Sequence, residues 1–426
     1  MRLSAMNVEE LQTIQAELQQ QYENYKKLGL ALNMSRGKPS KAQLDLSLPM
    51  LDIKEITAED GTDARNYGVL DGLPEAKRFM AEFMSVPEEN VIVFGNSSLN
   101  IMYDTVMRAY VFGVLPEQTP WKDQGKLKFL CPVPGYDRHF GVTEAFGFEL
   151  INVPMTSNGP DMDIVEKLVK DDPQIKGIWC VPKYSNPEGY VYSDETVRRM
   201  AIMPTAADDF RVFWDNAYCV HYLDMNDQAE ILNFLAECAK AGHPERPYIF
   251  GSTSKITFPG AGLAAFAAGP ETIKYVKKLM ASQTIGHDKL NQLRHVKFFG
   301  NRAGLMRHMA KHAEILRPKF QMVAETLERE LGGLGCADWT VPKGGYFMSF
   351  NTLPGLAKKV VTMCKEAGVE LTGAGATYPY GKDPEDKNIR LAPSMPPVED
   401  LKIAAELFCL CVKLASVEKL LAEKHA

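Results

Sequence analysis

Apolar residues recur at helical spacing over residues 7 to 28, where Leu11, Ile14, Leu18 and Tyr22 line one side of a Gln- and Glu-rich segment. Asn7 opens the segment and Glu10 follows three positions on, a pairing in which each side chain can satisfy the other's free backbone N–H. Spacing and cap together predict an amphipathic helix. The next stretch, Met34-Ser-Arg-Gly-Lys-Pro-Ser40, sets a glycine close to a proline and predicts an irregular loop. From about 90 to 270 the period changes. Short apolar runs (Val91 to Phe94, Lys128 to Cys131, Glu149 to Val153, Gly177 to Val181, Val212 to Trp214, Tyr248 to Phe250, Ala264 to Ala267) alternate with helical patterns. That alternation predicts an α/β fold, a mostly parallel sheet sandwiched by helices. The tail from about 310 holds a long helical pattern, then Lys343 to Phe350, then Asn388 to Ala392 and a last helix near 398 to 423, as expected of a smaller α+β domain. The expected division is 51–305 for the large domain and 306–426 for the small one, with residues 1–50 contributing a helix and a loop to the small domain.

Composition narrows the class. A chain of 426 residues, 45% hydrophobic and 24% charged, can bury a large core, and its length suits two or three domains. A net charge of -6 without a long run of one sign gives no reason to expect nucleic acid or a membrane surface as partner. Eight cysteines form no CxxC pair, and five sit in apolar runs, so they read as reduced core thiols of a cytoplasmic protein. No stretch approaches the ~18 apolar residues of a membrane span, and the N-terminus lacks the apolar core of a signal peptide. His139, His221 and His295 form no helical metal pair, and no metal is expected.

In α/β sheets, ligands bind beyond the carboxyl ends of the strands, so the residues after each apolar run are where chemistry is sought. After Phe94 comes Gly95-Asn-Ser-Ser-Leu-Asn100 at the start of a helix, which is either an anion site or a plain cap. After Trp214 comes Asp215-Asn-Ala-Tyr218. A carboxylate at the mouth of a buried strand needs a cationic partner: a metal, a core ion pair or a protonated ring nitrogen. After Phe250 comes Gly251-Ser-Thr-Ser-Lys255. Its lysine is either an exposed loop residue or, with its pKa lowered by burial, an amine able to form a Schiff base.

Taken in order, Tyr67-Gly68, Gly95 to Ser98, Tyr136, Asn186-Pro187, Asp215 with Tyr218, Ser252 with Lys255, and Arg390 resemble the landmarks of fold-type I pyridoxal-phosphate aminotransferases, over nearly the whole chain. The Ser-Arg-Gly-Lys-Pro loop, Lys183-Tyr-Ser-Asn-Pro-Glu-Gly189 and Lys255-Ile-Thr-Phe-Pro-Gly resemble the bacterial aspartate aminotransferases called type Ic. The resemblance implies pyridoxal 5′-phosphate as cofactor and residues 51–305 as its binding domain. It makes Lys255 the Schiff-base lysine and proton carrier, and Asp215 the partner of the ring nitrogen. Tyr218 and Asn186 would hydrogen-bond the ring's phenolic oxygen, and Tyr136 would stack on the ring. Asn96, Ser97, Ser98 and Ser252 would hold the phosphate, with Tyr67 reaching it from the partner subunit of a homodimer. Arg390, Gly37 and Asn186 would bind the substrate. Its activity would be transfer of an amino group from an α-amino acid, aspartate foremost, to 2-oxoglutarate by a ping-pong mechanism. The same residues also serve β-eliminating lyases and decarboxylases, and a non-catalytic effector-binding domain can share the fold. One departure stands out: eight positions after the lysine the family usually has a phosphate-binding arginine, and this chain has Leu263. Arg36 and Lys38 are the substitutes considered for the phosphate, and Lys289 and Arg294 those for a substrate side-chain carboxylate.

Overall fold

A computed structural model describes residues 2–425. The N-terminal pattern forms helix α1 (Val8–Lys27), with Asn7 Oδ1 accepting from the Glu10 N–H at 2.9 Å and Glu10 Oε2 accepting from the Asn7 N–H at 2.8 Å. It buries Leu11, Leu18 and Tyr22, while Ile14 stays half-buried. A short strand β1 (Leu32–Asn33) and helix α2 (Lys41–Asp45) follow.

The next stretch builds the main sheet from β2 (Val91–Val93), β3 (Lys128–Val133), β4 (Glu149–Thr156), β5 (Gly159–Pro160), β6 (Ile175–Cys180), β7 (Arg211–Asp215), β8 (Pro247–Ser252) and β9 (Ala264–Ala268). Its order is β2-β9-β8-β7-β6-β3-β4-β5. The pairs from β8 through β7, β6 and β3 to β4 are parallel, whereas β9 runs antiparallel to both β2 and β8. All seven expected runs are strands. The two-residue β5 was not foreseen, because Gly159-Pro160 carries no apolar pattern.

Successive residues of a strand point to opposite faces, and here both faces are buried. Phe129, Trp179, Phe213, Phe250 and Phe266 form one core with α4 (Ser98–Phe112), α5 (Asp137–Ala145) and α9 (Pro270–Met280). Their neighbours Leu130, Ile178, Val212, Ile249 and Ala267 form the other with α3 (Pro74–Met84), α6 (Met162–Asp171), α7 (Asp194–Ile202) and α8 (Phe234–Lys240). Each large side chain so buried contributes roughly 1.5–3 kcal/mol. Helices α10 (Lys289–Phe299) and α11 (Arg302–Leu331) lead to the C-terminal part. There β10 (Ala337–Trp339), β11 (Met348–Thr352) and β13 (Asn388–Leu391) make an antiparallel sheet, β12 (Val369–Glu370) pairs with β1, and α12 (Ala357–Glu366) and α13 (Val398–His425) complete it. Both α1 and α11 pack on α13. Among the described residues no helix is long and apolar enough to cross a membrane.

Candidate active site

The carboxyl ends of β7 and β8 open beside the N-termini of α4 and α5. Ser97, Ser98, Tyr136, Asn186, Asp215, Tyr218, Ser252 and Lys255 line one cavity of about 220 Å³ there. Eight residues expected at the site from distant parts of the sequence thus converge.

Asp215 ends β7 and is buried. Its Oδ2 lies 2.9 Å from Nε2 of His139, a ring stacked on Trp179 at 4.6 Å between centroids. Its Oδ1 is buried and has no hydrogen-bond partner among the described residues. An orphaned carboxylate oxygen facing a cavity calls for a cationic or protonated donor there. His139 is the residue the sequence reading missed, having weighed it only as a metal ligand. Its signal was position, three residues after Tyr136 and inside the first turn of α5.

Lys255 sits in the turn after β8. Tyr346 Oη donates to its backbone carbonyl at 3.1 Å, and His221 Nε2 lies 3.4 Å from the same oxygen, so the backbone is fixed while the side chain is not. The Nζ stands 5.0 Å from the centroid of the Tyr218 ring and makes no hydrogen bond among the described residues. Burial holds this ammonium below its ordinary value; the Asp215 charge opposes the shift and the Arg390 charge adds to it. Burial likewise pushes the Tyr136 hydroxyl up to about 12, with the Asp215 charge adding.

Ser97 caps α4, accepting from the Asn100 N–H at 3.4 Å, and Ser252 Oγ donates to Ser254 Oγ at 3.2 Å. Three hydroxyls and a helix N-terminus on one wall suit an anion. Asn96 lies just outside, its amide 3.4 Å from the carbonyls of Pro259 and Gly260. Arg390, on β13, borders the cavity through Asn186 rather than lining it: Nη1 donates to Asp137 Oδ1 at 3.0 Å and to Asn186 Oδ1 at 3.4 Å, and Nε has no partner. The guanidinium rests 4.8 Å from the Phe347 ring centroid, and Gly37 packs against the tip of that ring, where a Cβ would come within 2.3 Å of Cζ. Tyr67 is 82% exposed and away from the cavity.

Leu263 is buried, its N–H donating to Thr253 Oγ1 at 2.9 Å, so it braces the lysine turn. Neither Arg36 nor Lys38 lines the cavity. Lys289 donates to the Gly68 carbonyl at 3.0 Å, and Arg294 Nε is buried without a partner; neither lines the cavity either. His308 and His312, four positions apart on α11, are a helical pair the sequence reading passed over. They bond to each other at 3.1 Å, and among the described residues no group of three or more metal-ligating side chains exists.

An aromatic cofactor with a protonated ring nitrogen, an aldehyde for a lysine and a phosphate fits this donor set: unpaired Asp215 Oδ1, free Lys255 Nζ and the hydroxyl wall. Residues 6–424 match the family model described as aspartate amino-transferase. A Mycolicibacterium smegmatis protein named only as an aminotransferase is 49% identical, over 96% of this chain and 97% of its own. An aspartate aminotransferase of Corynebacterium glutamicum is 45% identical, over 98% and 96%. The crystal structure of an aspartate transaminase from Corynebacterium glutamicum superposes with a TM-score of 0.96 at 45% identity, covering 99% of each chain. The chain therefore belongs to the aspartate amino-transferase family, as an aminotransferase that works with pyridoxal 5′-phosphate.

Proposed function

We propose that the protein moves the amino group of aspartate to 2-oxoglutarate in a ping-pong cycle, with Lys255 carrying the cofactor. The observation behind this reading is the unpaired Asp215 Oδ1 in the same cavity as the free Lys255 amine. When bound, pyridoxal phosphate supplies the electron sink for the pair left at the substrate Cα. Asp215, held by His139, keeps the ring nitrogen protonated. Lys255, neutral more readily than an exposed lysine, takes the Cα proton. Tyr218 and Asn186 hydrogen-bond the phenolic oxygen. Tyr136 stacks on the ring, worth roughly 1 kcal/mol beyond its buried area. Asn96, Ser97, Ser98 and Ser252 hold the phosphate. Arg390 grips the α-carboxylate with two parallel hydrogen bonds, taking it in place of Asp137. The test is a spectrum: aspartate alone should remove the visible absorbance stoichiometrically, and 2-oxoglutarate should restore it. No bleaching by any common amino acid would end the reading.

Gly37 presents backbone to the same carboxylate and sets the Phe347 ring beneath Arg390. Gly37→Ala must displace that ring. The expected result is a KM for the amino acid raised about tenfold, the equivalent of ~1.4 kcal/mol; an unchanged KM would remove Gly37 from the site.

A dicarboxylic substrate needs a second cation, and Arg138 has the placement for it. It follows Asp137 on α5, makes no hydrogen bond or ion pair among the described residues, and lines a groove of about 440 Å³ that shares Ser97 and Leu99 with the cavity. Its charge reaches the Tyr136 hydroxyl. Arg138→Gln should raise KM for aspartate about tenfold to about 100-fold, the size of a charge-assisted bond of ~1.5–3 kcal/mol, and leave alanine unaffected. Equal effects on both substrates would exclude Arg138 from the role.

The assembly in this reading is a homodimer in which Tyr67 reaches the phosphate of the partner's site. Tyr67, Phe112 and Ile285 are large apolar side chains left exposed on one chain. Light scattering should give twice the 47.5 kDa chain mass, and Tyr67→Phe should weaken cofactor binding about tenfold for a lost charge-assisted bond. A monomer of full activity would overturn both.

A further inference from the structure

The strand and turn that supply the catalytic cavity also line a second one, on the other side of the same backbone. Asp215, Ala217 and Tyr218 face the first cavity, whereas Trp214, Asn216 and Cys219 line the second, of about 250 Å³. The loop from β6 divides in the same way, with Val181 and Asn186 facing the first and Lys183 the second.

Two polar side chains in the second cavity are more than nine-tenths buried and keep unused hydrogen-bonding capacity. Lys183, 7% exposed, donates to Tyr222 Oη at 2.8 Å and has no carboxylate within ion-pair distance among the described residues. Asn216, also 7% exposed, makes no side-chain hydrogen bond among the described residues. Arg302 adds a second positive charge at the mouth, its Nη1 donating to the Glu82 carbonyl at 2.9 Å. A buried ammonium without a counter-charge is unfavourable, and burial indeed holds Lys183 down to about 8. The neighbouring Arg302 charge lowers it further, and the Glu230 charge opposes the shift. An anion seated between Lys183, Asn216 and Arg302 would supply the missing charge and acceptor. Glu230, an exposed carboxylate at the rim, opposes a polyanion and favours a compact group.

We infer that this cavity is a binding site for a small carboxylate- or phosphate-bearing anion, placed back to back with the catalytic cavity. Its occupant fixes Asn216 and Lys183, and through them the turns that hold Asp215 and Asn186, so binding changes turnover without entering the catalytic cavity.

The test titrates the cofactor-loaded enzyme with inorganic phosphate and, separately, with acetate at constant ionic strength, following heat and turnover at saturating amino acid. Saturable binding of one ion per chain is expected for at least one probe, with turnover changed although the substrate is saturating; the tighter probe identifies the head group. Lys183→Met should weaken that binding at least tenfold, and Arg302→Gln, on an exposed side chain that tolerates change, about threefold. Heat that never saturates, affinity unchanged in Arg302→Gln and in any folded Lys183→Met protein, or inhibition purely competitive with the amino acid would each overturn the inference.

Discussion

Lys255→Ala should retain the fold and lose the half-reaction, with kcat down by about 10⁴-fold or more. A positioned proton carrier alone supplies about 10²- to 10⁴-fold, and in the proposed reading this residue is also the attachment point of the cofactor. The contacts that fix the turn run through the Lys255 carbonyl to Tyr346 and His221, and alanine keeps them. The side-chain amine makes no hydrogen bond that would be missed, so thermal unfolding should shift little. The measurement is single-turnover absorbance with aspartate, with and without a small added amine; partial recovery by the amine would identify the lost function as proton transfer. A variant that bleaches within tenfold of the wild-type rate would mean that another residue carries the proton.

Replacing Asp215 by Asn should lower kcat by about 10² to about 10⁴. Breaking a buried charge pair by removing one partner costs roughly 3–5 kcal/mol. Asparagine keeps an oxygen for His139 and removes only the charge. His139→Ala should do less, about tenfold to about 100-fold, because it removes one hydrogen bond to a charged group at ~1.5–3 kcal/mol and leaves the carboxylate. The cofactor-free proteins separate chemistry from architecture. Oδ1 of Asp215 is buried without a partner, so Asp215→Asn should not lower the unfolding temperature of that form. A large destabilisation there, with kcat scaling to the folded fraction, would make Asp215 a structural residue.

Most of the strands were legible because β2, β6, β7, β8 and β9 are short runs buried on both faces, whereas β4 keeps Glu149, Asn152 and Pro154 outside the core and was legible from Leu150, Ile151 and Val153. The capping box of α1 was legible because both partners lie within four residues. The lysine and aspartate were legible only in company: alone, Lys255 reads equally as a loop lysine and Asp215 as half of a core ion pair, and their order with Tyr136, Asn186, Tyr218 and Arg390 is what singled them out. Long-range pairing was not. The ion pair of Arg390 with Asp137 joins residues 253 positions apart, and nothing local to either announces it. His139 carries a residue type with many uses, and only its stacking on Trp179 and bond to Asp215 single it out. Gly159-Pro160 became a strand through its neighbour Met155-Thr156, against its own propensity. Nothing local to Arg138 sets it apart from other helix charges such as Lys289 and Arg294; the groove it lines is formed by α4 and α5 together.

Helix α13 closes over α1 and α11 at the far end of the chain, and Arg390 precedes it by only eight residues. During synthesis the hydroxyl wall, Asp215 and Lys255 all leave the ribosome well before the arginine. In the proposed reading a nascent chain therefore holds its cofactor residues before the arginine that grips the substrate, and the packing of α13 on α1 waits for the last helix to emerge.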